Sequence, residues 1–318
     1  MKIFITGGSG FVGQHLIPIL IANDFLVYAL ARREAAIEKV RQLGAIPVKD
    51  DLTALGENTD KALKQCDYVL HSAAYMNFTY DPKPYYSINV EATDQLLKMS
   101  QANGIRKFVF ISAAPVVPGS PIINIKEEEA RKGLPRSLYP KTKALAERLV
   151  LKANSPDFQT LSLRPPAIWG PDNHHMEELF QNVKKGSWRW IGGSQQKLST
   201  IHVYNLAAAV LAALDSEIGG KAYFVTDGVT RPMRETFSAI IKAAQLEPGD
   251  KELPRTLAWL VEHTFGACWK LFRLKSRPPV APLMIRLMAT EFSVNDELAR
   301  KELGYKNAIS YEEGIQTL

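Results

Sequence analysis

Cysteine is almost absent: Cys66 and Cys268 are the only two in 318 residues. Without ligand spacing they form neither a disulfide framework nor a zinc site, and the expected compartment is a reducing cytoplasm. Charge of one sign is also scarce, with 39 Lys plus Arg against 33 Asp plus Glu, a net +6. That surplus is too small to point to nucleic acid as a partner. No long apolar run opens the chain, since Met1 leads straight into Lys2-Ile3-Phe4-Ile5, so the N-terminus is expected to be structure and not an address. Glycine and proline, 20 and 19 residues, are in no excess, which excludes collagen-like and low-complexity chains. His174-His175 is read as a loop pair with no carboxylates in metal-binding register, so no metal is expected. With 46% hydrophobic and 23% charged residues, what remains is a soluble globular chain.

The first feature that is present is a short apolar strand, residues 2–5, running into Thr6-Gly7-Gly8-Ser9-Gly10-Phe11-Val12-Gly13 and then a helical pattern at 14–22. Strand, glycine turn and helix in that order suit a dinucleotide. Glycines at 7, 10 and 13 permit a tight turn, approach of backbone N–H groups to a pyrophosphate, and close packing of the helix on the sheet. A second strand, 25–31, ends at Arg32 and Arg33 with no Asp or Glu at its tip. Guanidinium groups there suit a ribose 2′-phosphate, which favours NADP(H) over NAD(H).

Alternation continues through strands at 46–48, 68–71, 107–112 and 160–164 and helices at 60–64, within 86–102 and at 139–152. That order predicts an α/β fold with a doubly wound parallel sheet. After Pro171 the alternation weakens. The chain is therefore divided into a cofactor domain, residues 1–171, and a smaller mixed α/β substrate domain, 172–318, with 206–226 expected to return to the first.

Tyr139-Pro140-Lys141-Thr142-Lys143 places Tyr139 and Lys143 four residues apart on one helix face. An ammonium beside a phenol lowers the phenol pKa, which would make Tyr139 an acid/base and leave Lys143 to tune it and hold a ribose.

With these motifs the chain resembles the extended short-chain dehydrogenases/reductases of the NAD-dependent epimerase/dehydratase superfamily, whose cofactor domain is a Rossmann domain. Thr6 to Gly13 is similar to that family's TGGxGFxG turn, His71-Ser72-Ala73-Ala74 to its HxAA strand end, and Asn89-Val90-Glu91-Ala92-Thr93 to its NVxGT segment. Tyr139 and Lys143 fall on its YxxxK pair, and Arg164-Pro165 with Trp169-Gly170-Pro171 on its RPxxxYGP passage. The resemblance implies cofactor contacts at Gly7, Gly10, Phe11, Val12, Gly13, Asp51, Leu52, Ala73, Ala74, Tyr139, Lys143 and Pro165, with Asp51-Leu52 at adenine and Asn89 supporting a proton-relay water. It also implies a homodimer. One position departs: where the family carries a Ser or Thr three residues before Val116, this chain has Ala113, leaving neighbouring Ser112 as the stand-in hydroxyl.

Ile201 to Ala207, Ala222 to Gly228, and Phe292-Ser293 with Leu303-Gly304-Tyr305 resemble passages of the 3β-hydroxysteroid dehydrogenase branch, with dihydroflavonol-reductase-like enzymes as neighbours. That branch implies interconversion of a secondary alcohol and a ketone on a hydrophobic, steroid-like substrate. Two rivals stand beside it: a sugar-nucleotide epimerase or dehydratase, and a cofactor-binding protein without catalysis, marked by Ala113. Leu257, Trp259, Leu260, Val261, Phe265, Trp269, Leu271 and Phe272, followed by Lys270, Arg273, Lys275 and Arg277, form an apolar and basic stretch before Pro278-Pro279. It suits a pocket wall or a peripheral membrane contact at residues 257–277, and equally a core helix with a basic end. Trp188 and Trp190 are read as packing residues in a strand-like 187–191 segment.

Overall fold

Lys2–Thr6 (β1) carries the apolar run Ile3-Phe4-Ile5 because it is covered on both faces. Ile3 and Ile5 join one buried cluster and Phe4 another, as the two-residue period of a strand requires. The computed structural model describes residues 1–77, 79–129, 133–272, 274, 276, 285 and 288–318. Leu26–Ala31 (β2), Ile46–Lys49 (β3), Tyr68–His71 (β4) and Lys107–Ile111 (β5) pair with β1 and with each other in parallel. Ile122–Ile125 (β6) lies elsewhere, whereas Gln159–Arg164 (β7) pairs with β5. The full order, β12-β7-β5-β4-β1-β2-β3, is completed by Lys221–Phe224 (β12). Strand order reverses between β1 and β4, and in open parallel sheets ligands bind at the carboxyl ends of strands beside that reversal.

Phe11–Ala22 (α1) and Val203–Asp215 (α8) cover one face through Leu16, Ile17, Leu206 and Val210. Ala92–Ala102 (α5) and Leu138–Lys152 (α6) cover the other through Leu96, Leu97, Ala146 and Val150. The long helix expected within 86–102 is three pieces, with Pro82–Tyr86, a π-helical turn at Ser87–Glu91, and α5. Buried Asn89 lies at the centre of that π-helical turn.

The second sheet is four-stranded, with order Arg231–Pro232, Lys197–Leu198, Phe292–Val294, Ile122–Ile125. Its β6 strand comes from within 1–171, so the chain crosses to the second sheet before residue 171 as well as after it. Two further sequence readings are corrected. His174 opens a helix, His174–Lys184, so the histidine pair is not a loop pair; the side chain of His175 lies outside the described residues. The 187–191 strand is only Trp190–Ile191, because Trp188 turns edge-on to Trp190 at 5.3 Å and stacks near Phe237. Both tryptophans pack in a small core with Leu179 and Ile241.

Candidate active site

The three spaced glycines do different jobs. A Cβ on Gly7, whose φ is +74°, would come 2.8 Å from the Ala73 amide nitrogen, and one on Gly13 would come 2.2 Å from the Gly7 carbonyl. Those two let β1, the chain after β4, and α1 pack against each other. A Cβ on Gly10 would meet only the Gly7 carbonyl, at 3.3 Å. Gly10 is also the residue before α1, and no side chain caps that helix end. An open backbone at an uncapped helix start is a cradle for an anion, so the turn fits a dinucleotide pyrophosphate. Phe11 and Val12 are the first two residues of that helix and are half-buried.

From this turn a buried polar chain runs to α6. Thr6 Oγ1 lies 2.6 Å from His71 Nδ1 and accepts from the Ala73 N–H at 3.2 Å. His71 Nε2 lies 2.8 Å from Thr93 Oγ1, whose hydroxyl donates to the Asn89 carbonyl at 2.8 Å. With the Thr93 proton spent on Asn89, His71 must donate from Nε2 and accept from Thr6 at Nδ1, which is the neutral ring. Burial agrees, pushing the His71 pKa down to about 3, and the nearby Lys143 charge adds to the effect.

Asn89 is fully engaged. Its Oδ1 accepts from the Tyr75 N–H at 2.7 Å, while Nδ2 donates to the Tyr75 carbonyl and to Thr142 Oγ1, each at 3.1 Å. Its side chain thus ties Tyr75 to Thr142, the residue beside Lys143. Thr6, Thr93 and Thr142 were not singled out from sequence. Threonines that bridge elements carry no local signature.

Tyr139 packs beside Ala113 and Val116, half-buried in the wall between the sheets. Ala113 follows Ser112, which is buried with its Oγ free of any hydrogen-bond partner among the described residues. The expected lowering of the Tyr139 pKa is not found. Burial, with the Tyr85 phenol nearby, pushes it up to about 12. The reason is geometric: Lys143 runs down to β5, donating to the Ile111 carbonyl at 2.6 Å with its Nζ 3.9 Å over the Phe110 ring. Burial in turn pushes Lys143 down to about 7, with Glu147 opposing.

At the far end of the site Arg32 bonds Asp51 at 2.7 Å. That contact and the Thr53 N–H hold the Asp51 carboxyl near 2. Arg33 precedes helix Glu34–Gln42 and is exposed, as is Ala74, whereas Leu52 is half-buried. Buried Pro165 follows β7, its carbonyl accepting from the Ala114 N–H at 2.8 Å. The structure thus joins Gly7 to Ala73, Arg32 to Asp51, Pro165 to the Ala113 segment and Tyr139 to Ala113, but aims Lys143 at β5 and not at Tyr139. Among the described residues, no cluster of three His, Cys, Asp or Glu can hold a metal.

Two of the passages read as markers of one branch, 201–207 and 222–228, meet with Trp169 at one carboxylate. Asp227 Oδ2 accepts from Trp169 Nε1 and Thr200 Oγ1, each at 2.8 Å, and its Oδ1 accepts from the His202 N–H and Asn205 Nδ2, at 2.7 and 2.8 Å. Residues 167–169, 200–205 and 226–227 are therefore one structural joint.

A model of the 3-beta hydroxysteroid dehydrogenase/isomerase family matches residues 4–255. The chain is 32% identical to a 4-hydroxy-2-methyl-3-oxo-4-farnesyl-3,4-dihydroquinoline-1-oxide ketoreductase of Stigmatella aurantiaca, over 100% of this chain and 96% of that one. It is 30% identical to a decarboxylating sterol-4-alpha-carboxylate 3-dehydrogenase of Dictyostelium discoideum, covering 100% and 99%. Among solved structures, the UDP-glucuronic acid 4-epimerase of Bacillus cereus in complex with NAD superposes with a TM-score of 0.77 at 19% identity, over 100% of this chain and 97% of that one. At that identity the likeness is one of fold.

Proposed function

The chain belongs to the 3-beta hydroxysteroid dehydrogenase/isomerase family, within the extended short-chain dehydrogenases/reductases, and from that premise we propose that it interconverts a secondary alcohol and a ketone on a hydrophobic, steroid-like molecule with NADP(H). The observation that carries the proposal is the buried chain from the glycine turn through His71, Thr93 and Asn89 to Thr142, which fixes a cofactor cradle against the helix that bears Tyr139. Bound nicotinamide would supply or accept the hydride. Gly10 and the start of α1 would hold its pyrophosphate. Tyr139 would give a proton to the carbonyl oxygen in reduction and take it back in oxidation, and a phenol with a raised pKa is an acid that keeps its proton until the oxygen gains charge. Lys143, on the same helix, would hold the ribose.

Support for NADP(H) is that β2 runs into Arg32 and Arg33, both exposed, with no Asp or Glu of its own at that tip, although Arg32 is paired with Asp51 from across the sheet edge. Support for the apolar substrate is the pair of relatives that act on a farnesylated quinoline oxide and a sterol carboxylate by name. Turnover of hydroxysteroids and isoprenoid ketones, with NADP and NAD offered in turn, tests the proposal. Tyr139→Phe is expected to lower kcat by about 10²–10⁴ while cofactor binding persists. Full activity in that variant would remove Tyr139 from the chemistry.

Ala113 favours a second reading, a cofactor-binding protein without catalysis, because the wall beside Tyr139 presents a methyl group where the family carries a hydroxyl. Cofactor binding with no turnover, unchanged by Ala113→Ser, would support that reading. Tyr139-dependent turnover by the wild-type chain would refute it.

A further inference from the structure

Beyond β4 the chain leaves the first sheet, and residues 72–77 take up no regular secondary structure. Backbone N–H and C=O groups in such a stretch still need partners. At Tyr75 one buried side chain supplies both: Asn89 Oδ1 accepts from the Tyr75 N–H at 2.7 Å, and Asn89 Nδ2 donates to the Tyr75 carbonyl at 3.1 Å. The Asn89 amide stands where a neighbouring strand would stand and holds Tyr75 as if the sheet continued. The same Nδ2 reaches Thr142 Oγ1 at 3.1 Å, so the clamp is set against the helix turn between Tyr139 and Lys143.

What the clamp presents is an aromatic ring. Ala74 and Met76, on either side, are exposed, whereas Tyr75 is half-buried and meets buried Tyr85 edge-on, with centroids 4.8 Å apart and planes at 86°. The Tyr85 phenol is in turn near enough to Tyr139 to raise its pKa, which puts Tyr75, Tyr85 and Tyr139 in series. Two residues before Tyr75, Ala73 lies against Gly7 of the glycine turn. Tyr75 therefore stands between the cofactor cradle and the reacting phenol. Its hydroxyl receives one long contact, from exposed Asn77 Nδ2 at 3.4 Å, so the fold fixes the ring and makes little use of the hydroxyl.

We propose that Tyr75 selects ring-containing ketones and alcohols over open-chain ones, its ring lying against the flat apolar face of the substrate beside the reacting carbon. The inference rests on the dehydrogenase reading and names the substrate class of that site. A rigid ring system loses little freedom against an aromatic already held in place, whereas an open chain must itself be ordered to make the same contact. Tyr75 touches substrate and exchanges no proton. Its contribution is the same in the ground state and the transition state, so it belongs to KM and not to kcat.

The test is calorimetric titration of the full chain, saturated with oxidised NADP so that a ketone is not reduced, with androstenedione and with methyl nonyl ketone. Tyr75→Ala and Tyr75→Leu are expected to weaken binding of the four-ring ketone about tenfold and of the open-chain ketone less than about twofold. In turnover with NADPH, kcat for the four-ring ketone is expected to stay within about twofold of wild type. Tyr75→Phe keeps the ring and is expected to bind as wild type does. Equal losses for the two ketones, a Tyr75→Phe variant as weak as Tyr75→Ala, or wild-type protein that binds no androstenedione overturns the inference. So does a matching loss of NADP affinity or of thermal midpoint, which would make Tyr75 a cofactor or packing residue. Binding is read without turnover, so a chain that holds androstenedione through Tyr75 and converts neither ketone refutes the dehydrogenase reading alone.

Discussion

Lys143 and His71 are held away from their ordinary protonation by burial, and the two shifts give stability a defined pH dependence. Lys143 falls from 10.5 to about 7 on folding. Between those values the unfolded chain binds a proton that the folded chain does not, so stability rises with pH across that window and is lost as pH falls back toward 7. His71 falls from 6.5 to about 3, and by the same sign stability drops further as pH falls through that lower range. Lys143→Met keeps the apolar stem over Phe110 and removes the charge. Urea unfolding from pH 6.5 to 10.5 is expected to show a rising stability in the wild type and a flatter profile in the variant. An unchanged slope would mean that Lys143 is hydrated in the folded chain.

Helix α6 is the element on which the site depends, because it carries both Tyr139 and Lys143. Its grip on the sheet is polar as well as apolar: Glu147, buried, takes Arg164 through both carboxylate oxygens at 2.7 to 3.2 Å and accepts from Ser162 at 2.8 Å. Removing one partner of a buried pair leaves the other charge unmatched. Glu147→Gln is expected to cost about 3–5 kcal/mol in urea unfolding. A loss under about 1 kcal/mol would place the pair in solvent-like surroundings. Helix α8 is tied in a related way, by Lys107 of β5, whose Nζ donates to the Ala213 carbonyl at 3.0 Å and to the Ser216 carbonyl at the helix end.

At the scale of the molecule, Asp227 joins what the chain order separates. Its carboxylate takes donors from Trp169, Thr200, His202 and Asn205, and its own N–H donates to the Thr200 carbonyl. Asn307 donates to its carbonyl, so the C-terminal segment closes on the same point. In Asp227→Asn an amide N–H₂ would face two of those donors, each left without an acceptor at about 1–3 kcal/mol. Calorimetry is expected to show one transition at a lower midpoint. Separate melting of the four-stranded sheet in the wild type would contradict a shared joint.

Sequence alone determined the parallel sheet, the glycine turn before α1, and the placing of Tyr139 and Lys143 on one helix, because strand and helix periods and turn chemistry are local. It also marked residues 257–277 as apolar and basic without saying which face would be bare. Tertiary structure decided the rest. Gly10 alone of the spaced glycines is open, since Gly7 is closed by Ala73 beyond β4 and Gly13 by the Gly7 carbonyl of the folded turn. Lys143 points to Ile111 and not to Tyr139, since β5 places a carbonyl and the Phe110 ring within its reach. Ile122–Ile125 leaves the first sheet because Phe292–Val294, far along the chain, supplies its partner. Protonation and pairing depend on neighbours distant in sequence, and no local pattern encodes them.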